Sequence, residues 1–594
     1  MNIEAIEAVD LLGNVAKPAR YIGSELNAVP FNTAAAVKFA MVFPDVYEVG
    51  MSHLGMKILY HNINEIEDVT CARVFTPWVD YADALRANSL ALRSLEGNAE
   101  LRAFDAVAFT LPYEMCFTNI LETLDLGRIP IRSSERNDDD PIVIAGGVCV
   151  FNPEPLTPFI DAFAIGDGEE LIGEIVEVFK RVKNRADRLA ALSQLDSVYV
   201  PVIHHHDKLI HKRVINDLDA AYFPQTCVVP YLETIHDRVV LEVARGCTRG
   251  CRFCQAGMLY RPPRERSVQT LAEQGAQLIR STGYEELSLC ALSTGDYSDL
   301  AGLSAALKAR LDGMRVQLSL PSLRVDSGIG AAMGDAFETD VRKSSLTFAP
   351  EAGTQRLRDA INKGVTEDDA ARAIREAVAS GVNNIKLYCM IGLPTETDED
   401  VVGIADMIRR MLRESGCERG KRLRVSLSIA PFVPKPFTPF QWSAQDSIAD
   451  IQRKIGLLKP RLPRAVTLHW HDPRLSRLEA CFARSDERMG DVLEAAWRSG
   501  CRFDGWTELF NADAWDRAFE QCGVDPADYA NRERGMDDPL PWDIIDTGIT
   551  KTFLWQEYQR ALTGEITPDC RTHGCQGCGL QAKGACARAA VHSV

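Results

Sequence analysis

The chain of 594 residues is too long for a single hydrophobic core and predicts roughly three or four folded units. Apolar residues are 46% of the chain and charged residues 25%, which excludes disordered, collagen-like and fibrous classes. The net charge of −17 excludes generic DNA coating and leaves open only a local basic patch for one RNA or nucleotide.

Residues 1–36 read as a leader without a clear period. Its start, MNIEAIEAVDLLGNV, has acidic residues and no basic region ahead of an apolar core, so no signal peptide is expected. No run reaches the roughly 18 apolar residues of a membrane span. The expectation is a cytoplasmic protein with no membrane partner. In that compartment thiols stay reduced, and clustered cysteines point to metal or redox chemistry rather than disulfides.

Over residues 37–199, short apolar runs end in turn residues: Val37–Phe43, Asp105–Leu111, Pro141–Gly147 and the segment from Asp161. Helical patterns separate them, at about Gly55–Glu65 and Glu170–Lys183. The alternation predicts an α/β unit, a doubly wound, Rossmann-like domain. Residues 200–235 alternate around a polar turn and predict a hairpin linker. Within it, His204, His205 and His206 are adjacent and alternate in direction, so a solvated hairpin is expected rather than a metal site. Six further strand candidates follow in residues 236–465: 239–244, 286–292, 316–322, 344–350, 384–392 and 425–431. Spaced as βα units, they predict a central partial (β/α)6 barrel with its chemistry on the loops after the strands. Residues 466–594 read as a small α-rich C-terminal domain. Trp497, Trp506, Trp515, Trp542 and Trp555 are expected in its core, and Cys290 and Cys389 as buried fillers in strands. The basic run Arg419–Arg424 reads as a solvated loop.

The segment VARGCTRGCRFCQAG supplies Cys247, Cys251 and Cys254, with three and then two residues between them, directly after the first barrel strand. Three such thiolates can hold three irons of a [4Fe–4S] cube and leave the fourth open as a binding site. Gly246 and Gly250 permit a tight loop, and Phe253 is placed to shield the cluster. Near the C-terminus, Cys570, Cys575, Cys578 and Cys586 can close a metal site completely. An auxiliary iron–sulfur cluster, zinc and an unmetallated redox tail are the readings that spacing leaves open, and His573 is a substitute for Cys586.

The triplet, with its aromatic residue before the third cysteine, resembles the radical S-adenosylmethionine (SAM) superfamily. With the segments KPARYIGSE, GGVCVFNPEP, FVPKPFTPFQW and DCRTHGCQGCG, the chain resembles the family in it that has an N-terminal cobalamin (B12)-binding-like domain and a C-terminal cysteine cluster. The resemblance implies an enzyme that chelates SAM at the open iron and cleaves it reductively. The deoxyadenosyl radical so formed functionalises an unreactive C–H position, with cobalamin-dependent methyl transfer as the leading subtype. It also implies a reduced flavodoxin or ferredoxin type electron donor. SAM contacts are implied at Ser293, Thr294 and Asp296, at Ser322 and Arg324, at Glu351, and at Ile391 and Gly392. In the N-terminal unit the cobalamin motif Asp-x-His-x-x-Gly reads Asp45-Val46-Tyr47-Glu48-Val49-Gly50. Tyr47 replaces the histidine, so any cobalamin is expected without that axial ligand. The alternatives are cobalamin-independent RNA or protein modification with an auxiliary cluster, and a redox-sensing assembly protein. The substrate is not legible.

Overall fold

The protein is described by a computed structural model over residues 11–204, 208–319, 346–379, 382–415, 423–582 and Cys586. The N-terminal unit is a six-stranded sheet: β1 (Val37–Phe43), β2 (Val69–Phe75), β3 (Ala106–Thr110), β4 (Ile142–Gly146), β5 (Ala162–Ala164) and β6 (Val198–Tyr199). Its order is β2-β1-β3-β4-β5-β6, parallel except for β6 against β5. Both faces are covered, which is why β1 reads as a continuous apolar run. Phe39 and Met41 pack with Leu171, Ile175 and Phe179 of the helix Gly168–Arg181. Ala40 and Val42 face Ile120 and Leu124 of the helix Phe117–Leu126 on the other side. The order reverses between β1 and β3, the position where open α/β sheets bind ligands.

Among the described residues of 200–235 the expected hairpin does not form. Pro201 offers no N–H to a ladder, and Pro201–His204 is a helical turn instead. His204 is buried, not solvated: its Nδ1 accepts the Val200 N–H at 2.9 Å and its ring stacks on Tyr199. His205 and His206 lie outside the described residues. The next strand, β7 (Ile210–His211), pairs in parallel with β17 (Ile545–Asp546) near the end of the chain.

All six expected barrel strands are present: β8 (Val239–Glu242), β11 (Glu286–Cys290), β12 (Gln317–Ser319), β13 (Leu346–Glu351), β14 (Asn384–Ile391) and β15 (Arg424–Pro431). A seventh, β16 (Val466–Trp470), extends past the expected boundary at 465, parallel to β15. The described strands form two parallel sheets, β12-β11-β8 and β13-β14-β15-β16, and no closed barrel. One face of each is apolar: Ile385, Leu387, Cys389 and Ile391 pack on the helices Glu367–Ala379 and Asp398–Glu414. The alternate residues Lys386 and Tyr388 are exposed on the opposite face.

The C-terminal residues are helical, as expected, and share one core with the N-terminal unit. The helix Met489–Arg498 packs on Phe117–Leu126, and Trp497 Nε1 donates to the buried Glu122 at 3.0 Å. Trp515 and Trp542 are buried there too, each donating to an internal acceptor (Asp504 and Gln441), as buried indoles require. No helix among the described residues is long and apolar enough to cross a membrane.

Candidate active site

The cysteine triplet lies on the loop after β8. β9 (Ala244–Arg245) pairs antiparallel with β10 (Arg264–Glu265) and closes the loop at its base. Gly246 has φ +90°, and a Cβ there would meet the Tyr260 carbonyl at 2.4 Å, so only glycine fits. The fully buried Arg252 anchors the loop, donating to the carbonyls of Ala360 (2.9 Å) and Glu565 (2.7 Å) and to Glu557 (3.1 Å).

The cysteine sulfurs here are acceptors. Arg249 N–H donates to Cys247 Sγ at 3.5 Å, and Gly257 N–H to Cys254 Sγ at 3.3 Å. Buried filler cysteines do the reverse: Cys116 and Cys481 donate to the carbonyls of Tyr113 and Pro526. Burial, then the charge of Cys251, pushes the Cys254 thiol up to about 12, and burial raises Cys247 as well. Thiols so raised become thiolates when bound iron supplies compensating positive charge. Among the described residues no set of three or more His, Cys, Asp or Glu side chains closes on one metal ion. The donor set, three cysteines on one loop, fits an iron–sulfur cube with one open iron.

Asp296 stands beside the triplet. Arg249, from inside the loop, donates to it through Nε at 2.8 Å, and Arg571 through Nη2 at 3.1 Å. Burial pushes the Asp296 carboxyl up, but the hydrogen bond from Arg249, with the charges of Arg249 and Arg571, outweighs it and holds the group at about 2. Thr294 begins the same tight turn and is fully buried. Glu351 ends β13 at φ +67° and pairs with Lys363 at 3.0 Å; the Lys363 ammonium also lies over the Phe253 ring at 5.9 Å. Asp296 and Glu351 are thus both brought to the cysteine loop. Ile391 is buried among apolar side chains, which leaves only its backbone for a ligand. The Gly392 N–H is already bonded to Glu396 Oε1 at 2.7 Å, closing the turn on itself. Ser322 and Arg324 lie outside the described residues.

Cys570, Cys575, Cys578 and Cys586 line one pocket, with Thr248 and Gly250 of the triplet loop on its wall. Direct bonds join the two loops: Thr248 Oγ1 donates to Asp569 at 3.1 Å, and Asn362 Nδ2 donates to the carbonyls of Gly250 (3.2 Å) and Thr567 (3.1 Å). Arg249, Arg252, Lys363, Asp569 and Arg571 were not singled out from the sequence. The signal available was a charged residue lodged inside each cysteine loop.

In the N-terminal unit, Tyr47 is 1% exposed and its hydroxyl donates to Glu25 at 2.8 Å, so it faces inward and is no ligand. Asp45 accepts from Tyr113 and from Trp506 Nε1 (3.0 Å), and a Cβ on Gly147 would meet the Leu111 carbonyl at 2.6 Å. The crevice between β1 and β3 is closed by the chain itself. A larger cavity, about 470 Å³ and open to solvent, lies between the two units. Ser52–Gly55 and Gly166–Glu169 line it from the N-terminal unit, and Val240, Glu242, Ala244–Gly246 and Cys290–Leu292 from the barrel. Cys290 is exposed on this wall, not the buried filler expected, because β11 turns that side chain away from its helices. His53 lines the cavity as well. Its Nδ1 accepts the Met56 N–H at 3.1 Å, so its proton sits on Nε2 and the ring caps a helix rather than binding metal.

A thiol triplet on the loop after the first strand of a parallel βα array defines an iron–sulfur enzyme of the SAM-cleaving class. Residues 55–201 match the family described as radical SAM proteins, N-terminal, and residues 241–408 the radical SAM superfamily. The chain belongs to the radical SAM superfamily, whose enzymes use a [4Fe–4S] cluster and SAM. The uncharacterized protein MJ0966 of Methanocaldococcus jannaschii is 28% identical over 77% of this chain and 90% of its own length. A tRNA-2-methylthio-N(6)-dimethylallyladenosine synthase of Bartonella tribocorum is 22% identical over 48% of this chain and 60% of its own. The fold is similar to that of the radical SAM methyltransferase TsrM from Kitasatospora setae, solved with tryptophan and a SAM analogue. The TM-score is 0.50 at 12% identity, over 82% of this chain and 100% of that one.

Proposed function

We propose that this radical SAM enzyme carries out methyl transfer to an unreactive carbon, with a corrinoid held in the cavity between the two units. The observation that carries the reading is that cavity, walled on one side by loops of a doubly wound sheet and on the other by the ends of β8 and β11. Its glycine backbones (Gly55, Gly166, Gly168 and Gly246) and the rings of His53 and His236 suit a bulky, neutral ligand with many amide groups. Tyr47 is turned inward and His53 caps a helix, so neither would hold the corrinoid. When bound, a corrinoid supplies a methyl carrier for carbon centres that lack a lone pair.

The chain's own residues position and screen. Arg245 is held by Asp167 (2.9 Å), Glu169 (2.6 Å) and Glu242 (2.8 Å), and Arg264 also pairs with Asp167 (2.6 Å), so the carboxylates of the cavity wall are tied to guanidinium groups. Asp296, at the cysteine loop, is the acceptor for the SAM ammonium, and Glu351 faces the same loop. The reducing electron is assigned to a flavodoxin or ferredoxin type donor.

The test is anaerobic reconstitution with iron and sulfide, incubation with hydroxocobalamin, desalting and a visible spectrum. Retained corrinoid at one per chain is expected, and a colourless corrinoid region overturns the methyl-transfer reading. SAM cleavage under strong reductant, lost in Cys251→Ala, is the separate expectation for the superfamily chemistry. A second reading, RNA or protein modification without corrinoid, is favoured by the cavity shared by the four C-terminal cysteines. SAM cleavage with no corrinoid retained would select it.

A further inference from the structure

We propose that Cys570, Cys575, Cys578 and Cys586 hold a second iron–sulfur cluster, seated against the loop of the first. The inference goes beyond the methyl-transfer reading and does not depend on it.

Convergence is the first ground. The four cysteines come from a stretch of seventeen residues, yet all line one pocket rather than scattering over the surface. The remaining wall of the pocket mixes apolar Met258, Phe553 and Pro568 with polar Thr248, Thr567, Gln576 and Gln581 and with Glu557, whose carboxylate is taken by Arg252 at 3.1 Å. Arg261 lines it as well, and its guanidinium lies over the Phe553 ring at 6.0 Å. A cluster with four thiolates is anionic, and one fixed cation on the wall offsets part of that charge.

Hydrogen-bond polarity is the second ground. Gly577 N–H donates to Cys575 Sγ at 3.4 Å, the same arrangement as at Cys247 and Cys254 and opposite to the donating thiols Cys116 and Cys481. Amide donors to sulfur stabilise thiolate ligands and set cluster potential. Gly574, Gly577 and Gly579 each have positive φ, at +80°, +76° and +106°, and each adjoins a cysteine.

Docking is the third ground. The bonds Thr248–Asp569 and Asn362–Thr567 then fix the second site relative to the first.

The experiment uses the full chain, reconstituted without air, with iron and acid-labile sulfide counted per chain. Cys575→Ala/Cys578→Ala and, separately, Cys247→Ala/Cys251→Ala/Cys254→Ala are each expected to hold about half the iron and sulfide of the parent. The triplet variant leaves the C-terminal loop intact, so it answers the question even if the tail variant misfolds. Iron unchanged in the tail variant, an iron-free triplet variant, or stoichiometric zinc in the triplet variant overturns the proposal. None of these counts depends on corrinoid or on SAM cleavage.

Discussion

Arg571 donates to Asp296 at 3.1 Å, joining a C-terminal loop to the end of a barrel strand 275 residues earlier. Arg249 grips the same carboxylate from within the cysteine triplet. An ammonium group arriving at Asp296 must share it with two guanidinium groups. Asp296→Asn should therefore weaken SAM binding by about 10- to 150-fold, the range for losing one charge-assisted hydrogen bond. Arg571→Gln removes a competitor and should leave SAM binding equal or tighter. Calorimetric titration of the reconstituted protein checks both. Unchanged affinity in Asp296→Asn would remove Asp296 from the SAM site.

The N-terminal sheet is pinned by a buried charge. Arg73, in β2, bonds to Glu25 at 2.7 Å and to Glu96 at 2.7 Å, and all three side chains are almost fully enclosed. Arg73→Met leaves two buried carboxylates uncompensated and should cost about 3–5 kcal/mol. Arg73→Met combined with Glu25→Gln and Glu96→Gln should recover much of that loss. Denaturant midpoints followed at the N-terminal unit decide it; a triple variant no better than the single one would contradict the charge argument.

Gly353 sits where β13 turns toward the helix Asp398–Glu414. A Cβ there would lie 2.2 Å from Ile404 N and 2.4 Å from the Asp400 carbonyl, both backbone atoms. Neither can swing aside, so Gly353→Ala must push the helix away and should cost about 1–3 kcal/mol. A melting temperature equal to the parent's would show that the helix yields freely.

His61 gives the N-terminal unit a pH dependence. Burial first, then the charges of Arg73 and Lys57, lowers its pKa to about 4, and its Nε2 has no hydrogen-bond partner among the described residues. The unfolded chain takes up a proton below about 6.5 while the folded ring stays neutral. Stability is complete above that pH and falls as pH drops toward 4, by about 3 kcal/mol from this group. His61→Phe should flatten the fall in melting temperature between pH 7 and pH 5. An identical fall in the variant would assign the effect elsewhere.

Much of this architecture was legible because burial on both faces leaves a plain apolar run. β1, β3 and β4 and all six predicted barrel strands read this way. β2 escaped because Arg73 interrupts its run, and the pairing that makes an interior arginine tolerable comes from Glu25 and Glu96, which no local window contains. β16 escaped because half of its residues remain exposed and no further βα unit follows it. The cysteine triplet was legible from spacing alone, since its three ligands sit on one loop. The Arg249–Asp296–Arg571 link was not, because it depends on how distant loops dock.

The pairing of β7 with β17 bears on how the chain is made. Ile210 meets Ile545, and the His211 ring meets Asp546 across 335 residues of sequence. A nascent chain therefore emerges from the ribosome with this strand bare for more than half of translation. Any product that stops short of Ile545 leaves Ile210, fully buried in the folded chain, without its partner strand.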